Sequence, residues 1–159
     1  MNNKRPILFA TDGSPSALDA QHEAFEFAKL SGAPLLVVSV AHVALPAVGY
    51  AAYGYSELLS ELTVAEHHRL EELLTDMNEA AKKEGIACET IAVHDGAIVE
   101  EICRIAVERG AQLVVVGSHG WGAARRLLSG SVSTGLVHSA PCPVLVVPSL
   151  EGKQQRAAV

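Results

Sequence analysis

Short apolar runs rich in β-branched residues recur along this chain, and between them lie longer segments whose apolar residues repeat with helical spacing. A strand that returns parallel to its predecessor needs a crossover of a dozen or more residues, and a helix is the usual solution. The alternation therefore predicts one α/β domain, a five-stranded parallel sheet with helices on both faces. Arg5 to Thr11, Pro34 to Val40 and Gln112 to Gly117 are nearly continuous apolar runs, as central strands covered on both faces should be. Ile86 to Val93 alternates more, and Pro143 to Pro148 is bracketed by prolines that confine it to a sheet edge.

Helix ends are marked by capping residues. Ser14 and Pro15 supply an N-cap and a first-turn proline, and Gly32 ends that helix after a stripe of Leu18, Phe25 and Ala28. A second helix spans about Ser56 to Glu84, with Leu59, Leu62, Leu70, Leu73, Leu74 and Met77 inward and Gly85 as terminator. A third covers Ile98 to Arg109, and a fourth begins near Gly130. Residues 41–55 break the pattern with Pro46, Gly49, Gly54 and tyrosines; such a connection is either a lid over a site or a surface excursion.

With 159 residues, 49% hydrophobic and 19% charged, the chain has the composition of a single globular domain. That domain is expected over 1–148, with 149–159 a fraying tail that has little to bury. A net charge of −6 argues against nucleic acid, which calls for a clustered basic face. The start carries no apolar signal core, and no stretch approaches a bilayer span, so a cytoplasmic protein without membrane contact is expected. Cys88, Cys103 and Cys142 have neither zinc nor redox spacing and read as buried free thiols.

In a doubly wound sheet ligands bind beyond the carboxyl ends of the strands. Two such ends stand out: Thr11-Asp12-Gly13-Ser14 after the first strand, and Gly117-Ser118-His119-Gly120 after the fourth, followed by Gly130-Ser131-Val132-Ser133 at the start of a helix. Glycines that let an anion approach, serine hydroxyls and the positive end of a helix dipole together make a phosphate cradle. It is not the P-loop, having no lysine after its glycines, nor a dinucleotide fingerprint, since Arg125 stands at the third-glycine position. Taken singly, each glycine is better read as permitting a tight loop, and the serines as helix caps; the spacing of the set and its place directly after a buried strand are what favour the cradle.

The spacing Gly117-x2-Gly120-x9-Gly130-Ser131 resembles the motif of the ATP-binding branch of the universal stress proteins. The resemblance extends to Ile7 to Ser14 as first strand and turn and to Ser139 to Val147 as closing strand. It implies a Rossmann-like sheet of order 3-2-1-4-5, related to the adenine nucleotide alpha hydrolases, and a homodimer through the edge strand Val144 to Val147. It implies ATP as ligand, with or without Mg2+, in a site lined by Ala10, Thr11 and Ser118 among others. Asp12 would lie near ribose or adenine, and the Val40 backbone along adenine. Val116, Gly117, His119 and Gly120 would line the ribose and phosphate side, while Gly130, Ser131, Val132 and Ser133 hold the phosphates. From the residues alone, Asp12 reads equally as a turn residue before the Ser14 helix.

Trp121 stands where many members of that family carry a basic residue, with Arg125 or Arg126 as substitutes, and Ile98 where they often carry proline. The resemblance implies a nucleotide-dependent stress-response module that passes its state to other proteins. A slow ATPase and an AMP or cyclic-nucleotide binder remain alternatives. Little beyond Asp12 is offered to magnesium, and no carboxylate base stands in the cradle, so turnover ranks below binding. His67 and His68 are neighbours about 100° apart on a helix, unable to chelate one metal together, and read as surface residues. No Gly-x-Ser-x-Gly elbow is present, which argues against an α/β-hydrolase even though Ser, His and Asp all occur.

Overall fold

The computed structural model describes residues 4–41, 55–119 and 131–149. Strand β1 (Ile7–Ala10) leads through α1 (Pro15–Ser31) to β2 (Leu35–Val40), and α2 (Tyr55–Lys83) leads to β3 (Cys88–Val93). Then come α3 (Ile98–Glu108), β4 (Leu113–Gly117), α4 (Ser131–Ser139) and β5 (Val144–Val147). All five strands are parallel, in the order β3-β2-β1-β4-β5, with Ile7 opposite both Leu35 and Leu113. The expected fold class is thus observed, and the proline-bracketed β5 lies at an edge.

Because alternate strand residues point to opposite faces, the sheet feeds two separate cores. Ile7, Phe9, Leu35, Val37 and Val115 meet Ala20, Ala24, Phe25 and Ala28 of α1 and Leu70, Leu74 and Met77 of α2. Leu8, Leu36, Val38, Val114 and Val116 meet Ile102, Ile105 and Ala106 of α3 and Leu136 of α4. Helices from the first two crossovers therefore cover one face, and those from the last two cover the other.

Ser14 caps α1 as the sequence indicates: its Oγ accepts the Ala17 N–H at 3.3 Å, and Gly32 closes the helix at φ 62°. The expected stripe is only partly right, since Phe25 and Ala28 are buried while Leu18 is 57% exposed. Alanines, not Leu18, face the sheet here, and their small side chains let α1 lie close upon it. On α2, Leu70, Leu74 and Met77 are buried and Leu73 partly so, but Leu62 is 38% exposed. A 29-residue helix is about 43 Å long, roughly twice the reach of a six-residue strand, so its first turns project past the sheet.

His67 is not a surface residue. It is half-buried, its ring set edge-on against His94 with centroids 4.4 Å apart, whereas His68 is exposed. The three cysteines are free but only half-buried rather than buried. Burial still pushes the Cys88 thiol up to about 11, Glu89 adding to the rise and Lys82 opposing it.

Candidate functional site

The chain turns to opposite faces after β1 and after β4, so the gap between these neighbouring strands is the switch point at which such sheets bind ligands. Ala10 and Val116 are paired at this end and both are buried. Beyond Ala10 the backbone makes a tight turn. Thr11 N–H donates to Val38 O at 3.0 Å, Gly13 N–H to Thr11 Oγ1 at 3.2 Å, and Ser14 N–H to Asp12 Oδ1 at 2.9 Å. The last bond is an Asx turn, and Gly13 completes it at φ 73°, a conformation that favours glycine. Asp12 is therefore a turn residue, and its half-buried carboxylate also stands at the strand end, where the family resemblance implies a contact to ribose or adenine.

Arg69 of α2 reaches the same turn. Its Nη1 donates to the Asp12 carbonyl at 3.0 Å, while Nε and Nη2 donate to the two Glu66 oxygens at 2.8 Å each. The bonds to Glu66 raise the guanidinium above its ordinary pKa; desolvation partly offsets this, and the charges of Glu66 and Asp12 add to the rise. Val40 ends β2 with its side chain in the α3 and α4 core, and the next residue, Ala41, donates its N–H to Val93 O at 2.7 Å.

At the exit of β4, Ser118 N–H donates to Val147 O at 2.8 Å, and Ser118 Oγ lies 2.8 Å from His119 Nδ1. The start of α1 holds both backbone polar groups of the next residue. His119 N–H donates to Ser16 Oγ at 3.3 Å, and Ser14 Oγ lies 3.5 Å from His119 O. Gly117 allows this grip: a Cβ there would lie 2.9 Å from the Ser16 carbonyl oxygen. The close approach that its Cβ side permits is that of α1.

The start of α4 is tied to the same exit. Ser133 is buried, and its Oγ donates to Ser118 O at 3.4 Å; Val132 is half-buried and Ser131 exposed. Gly120 and Gly130 lie outside the described residues, as do Trp121, Arg125, Arg126 and most of the 41–55 connection. Only the two ends of the Gly-x2-Gly-x9-Gly-Ser spacing, Gly117 and Ser131, are therefore seen in place.

Beside Ser131 and Val132 lies a shallow cavity of about 400 Å3, its other wall formed by Gly96 to Glu100. Two helix amino ends border it, those of α3 and α4, and Ala97 gives α3 no side-chain cap. The peptide N–H groups and dipoles of such ends favour an anion, opposed on the α3 side by Glu100. Sequence reasoning did not find Ser16, Arg69 or this β3–α3 turn, because each acts through a neighbour distant in the chain and belongs to no local motif.

Residues 4–148 match the family model for universal stress proteins. The chain belongs to that family. Universal stress protein MJ0531 of Methanocaldococcus jannaschii is 35% identical to this universal stress protein over 146 residues, 92% of this chain and 83% of the relative. Universal stress protein UspA of Lactobacillus plantarum superposes with a TM-score of 0.74 at 26% identity, over 91% of this universal stress protein and 99% of that chain. A universal stress protein solved in complex with cAMP gives a TM-score of 0.64 at 25% identity, with 91% and 97% covered.

Proposed function

We propose that this universal stress protein binds ATP or a related adenine nucleotide at the β1–β4 switch point and works as a nucleotide-dependent regulatory module. The observation that carries the reading is the convergence of three segments on one point: the Asp12 turn, the Ser118–His119 exit and the first turn of α4, joined by Ser14, Ser16 and Ser133. The complex of a similar protein with cAMP supports an adenine nucleotide in this fold.

In this reading the Ser131 hydroxyl and the backbone N–H groups at the head of α4, those of Val132 and Ser133 among them, take the phosphates together with Gly130, while the Ser133 hydroxyl braces the β4 exit through Ser118 O. Asp12 accepts ribose hydroxyls, and the Val40 backbone runs along the adenine. Val116, Gly117, His119 and Gly120 line the remaining side. Mg2+ would enter on the phosphate oxygens, keeping several waters, as is usual for this ion. Among the described residues no three His, Cys, Asp or Glu side chains form a metal-holding group. The edge strand β5, whose Val144, Leu145 and Val146 are half-buried, would pair with a second copy of the chain.

Thermal unfolding with ATP, AMP and cyclic AMP tests the proposal. A ligand at 100 times its dissociation constant adds about 2.7 kcal/mol, a rise of several degrees at this chain length. No shift with any of the three at millimolar concentration would refute the nucleotide reading. Light scattering on the same samples should give twice the chain mass; a monomer at micromolar concentration would refute the β5 pairing.

A further inference from the structure

We infer that Arg69 is a positioning residue for the nucleotide site: from α2 it fixes the Asp12–Gly13 peptide, and through that peptide the Asp12 carboxylate that reads the ribose. The inference rests on the nucleotide reading above and extends it to a residue outside the motif.

The geometry of the guanidinium carries the argument. Arg69 engages both oxygens of Glu66 with Nε and Nη2, at 2.8 Å each, in a side-by-side fork. A guanidinium is planar, so once that fork is made the direction of its remaining edge is set. That edge, Nη1, meets the Asp12 carbonyl at 3.0 Å. Glu66 lies one helical turn before Arg69, and its side chain is only 17% exposed, so the fork is anchored to α2 itself.

The held group would otherwise be soft. The Asp12 carbonyl belongs to the peptide that enters Gly13, and glycine tolerates rotation of that plane better than any other residue. Gly13 stands at φ 73°, and a Cβ on it would lie 3.3 Å from Leu73 and 3.7 Å from Arg69 Nη1, so α2 lies directly against the turn. Asp12 is thus held from two helices. Its carboxylate is drawn to Ser14 N–H at the head of α1, and its carbonyl to Arg69 on α2. Releasing the carbonyl lets the peptide rotate, and the carboxylate moves with it.

The test is calorimetric titration of the full chain with ATP and 2′-deoxy-ATP, using wild type, Arg69→Gln, Arg69→Lys, Glu66→Gln, Asp12→Ala and the Arg69→Gln/Asp12→Ala double variant. Because the tether acts on the ligand only through the Asp12 turn, its loss should weaken ATP binding by about the worth of an ordinary hydrogen bond, five- to tenfold in Arg69→Gln. The preference for ATP over the deoxynucleotide should narrow with it. Lysine cannot make the fork and should recover only part of the loss. Glu66→Gln leaves the arginine in place and should reproduce a smaller version of the effect, which separates positioning from misfolding.

The double variant should bind no more weakly than Asp12→Ala alone, because the tether acts through that carboxylate. Equal binding by wild type and Arg69→Gln would overturn the inference while leaving the nucleotide site standing. An undiminished effect of Arg69→Gln in the Asp12→Ala background would also overturn it. If wild type binds neither nucleotide, the functional reading fails and the positioning role with it.

Discussion

Replacing Gly117 by alanine should destabilise the protein even when no nucleotide is present. The added Cβ would lie 2.8 Å from Ser16 Oγ, 2.9 Å from Ser16 O and 3.0 Å from Ser16 C. The hydroxyl can rotate away, but the carbonyl belongs to the first turn of a helix seated on the sheet by Ala20, Ala24, Phe25 and Ala28. Gly117 is not among the left-handed glycines, so alanine suffers no backbone strain and the whole cost is overpacking. Overpacking of this kind costs about 1–3 kcal/mol, and the stiffer unfolded chain returns about 0.4–1 kcal/mol. From the middle of both ranges the net loss is about 1.3 kcal/mol, a fall in Tm of roughly 3–5 °C at this chain length. Urea and thermal unfolding of the ligand-free protein measure it. Displacing Ser16 should also speed amide exchange at His119, whose N–H it holds. An unchanged or higher Tm would show that the space at Gly117 is not needed by α1.

On α2, Leu70→Ala should cost about 2–5 kcal/mol, because it empties a fully buried position, whereas Leu62→Ala should stay within about 0.5 kcal/mol; urea midpoints of the two variants check the contrast. For Cys88, the thiol ionises near 9.0 in an ordinary setting and at about 11 in the folded chain, so below pH 9 it is neutral in both states. Between those values the unfolded thiol ionises first, and stability should fall as pH rises; Cys88→Ser should flatten that slope in alkaline unfolding curves.

The strands were legible because parallel strands covered on both faces leave uninterrupted apolar runs, and β1, β2 and β4 are of this kind. Helix ends were legible because Ser14 and Gly32 act on their own backbone neighbours. Helix rotation was not. Periodicity gives an apolar stripe, but the side that meets the sheet is chosen by how closely the helix can approach, which favoured the alanines of α1 over Leu18. His67 was misread for a similar reason, since its partner His94 comes from beyond another strand. At the candidate site the motif points to Gly117 and Ser131, and Ser133 follows it in the chain, yet nothing local shows that Gly117 makes room for Ser16 or that Arg69 meets Asp12. Those contacts exist only after strands far apart in sequence become neighbours.

The grip of α1 on the backbone of His119 bears on the order in which the molecule can assemble. Ser16 and Ser14 reach partners 103 and 105 residues further along the chain. Closing a loop of that length costs entropy before any contact rewards it, and such long-range pairings form slowly. A nascent chain that has completed α3 already possesses the Asp12 turn, yet lacks the strand against which the pocket closes. A ligand bound as proposed at this site would stabilise only chains whose fourth strand has docked, and would so favour them over intermediates that lack β4.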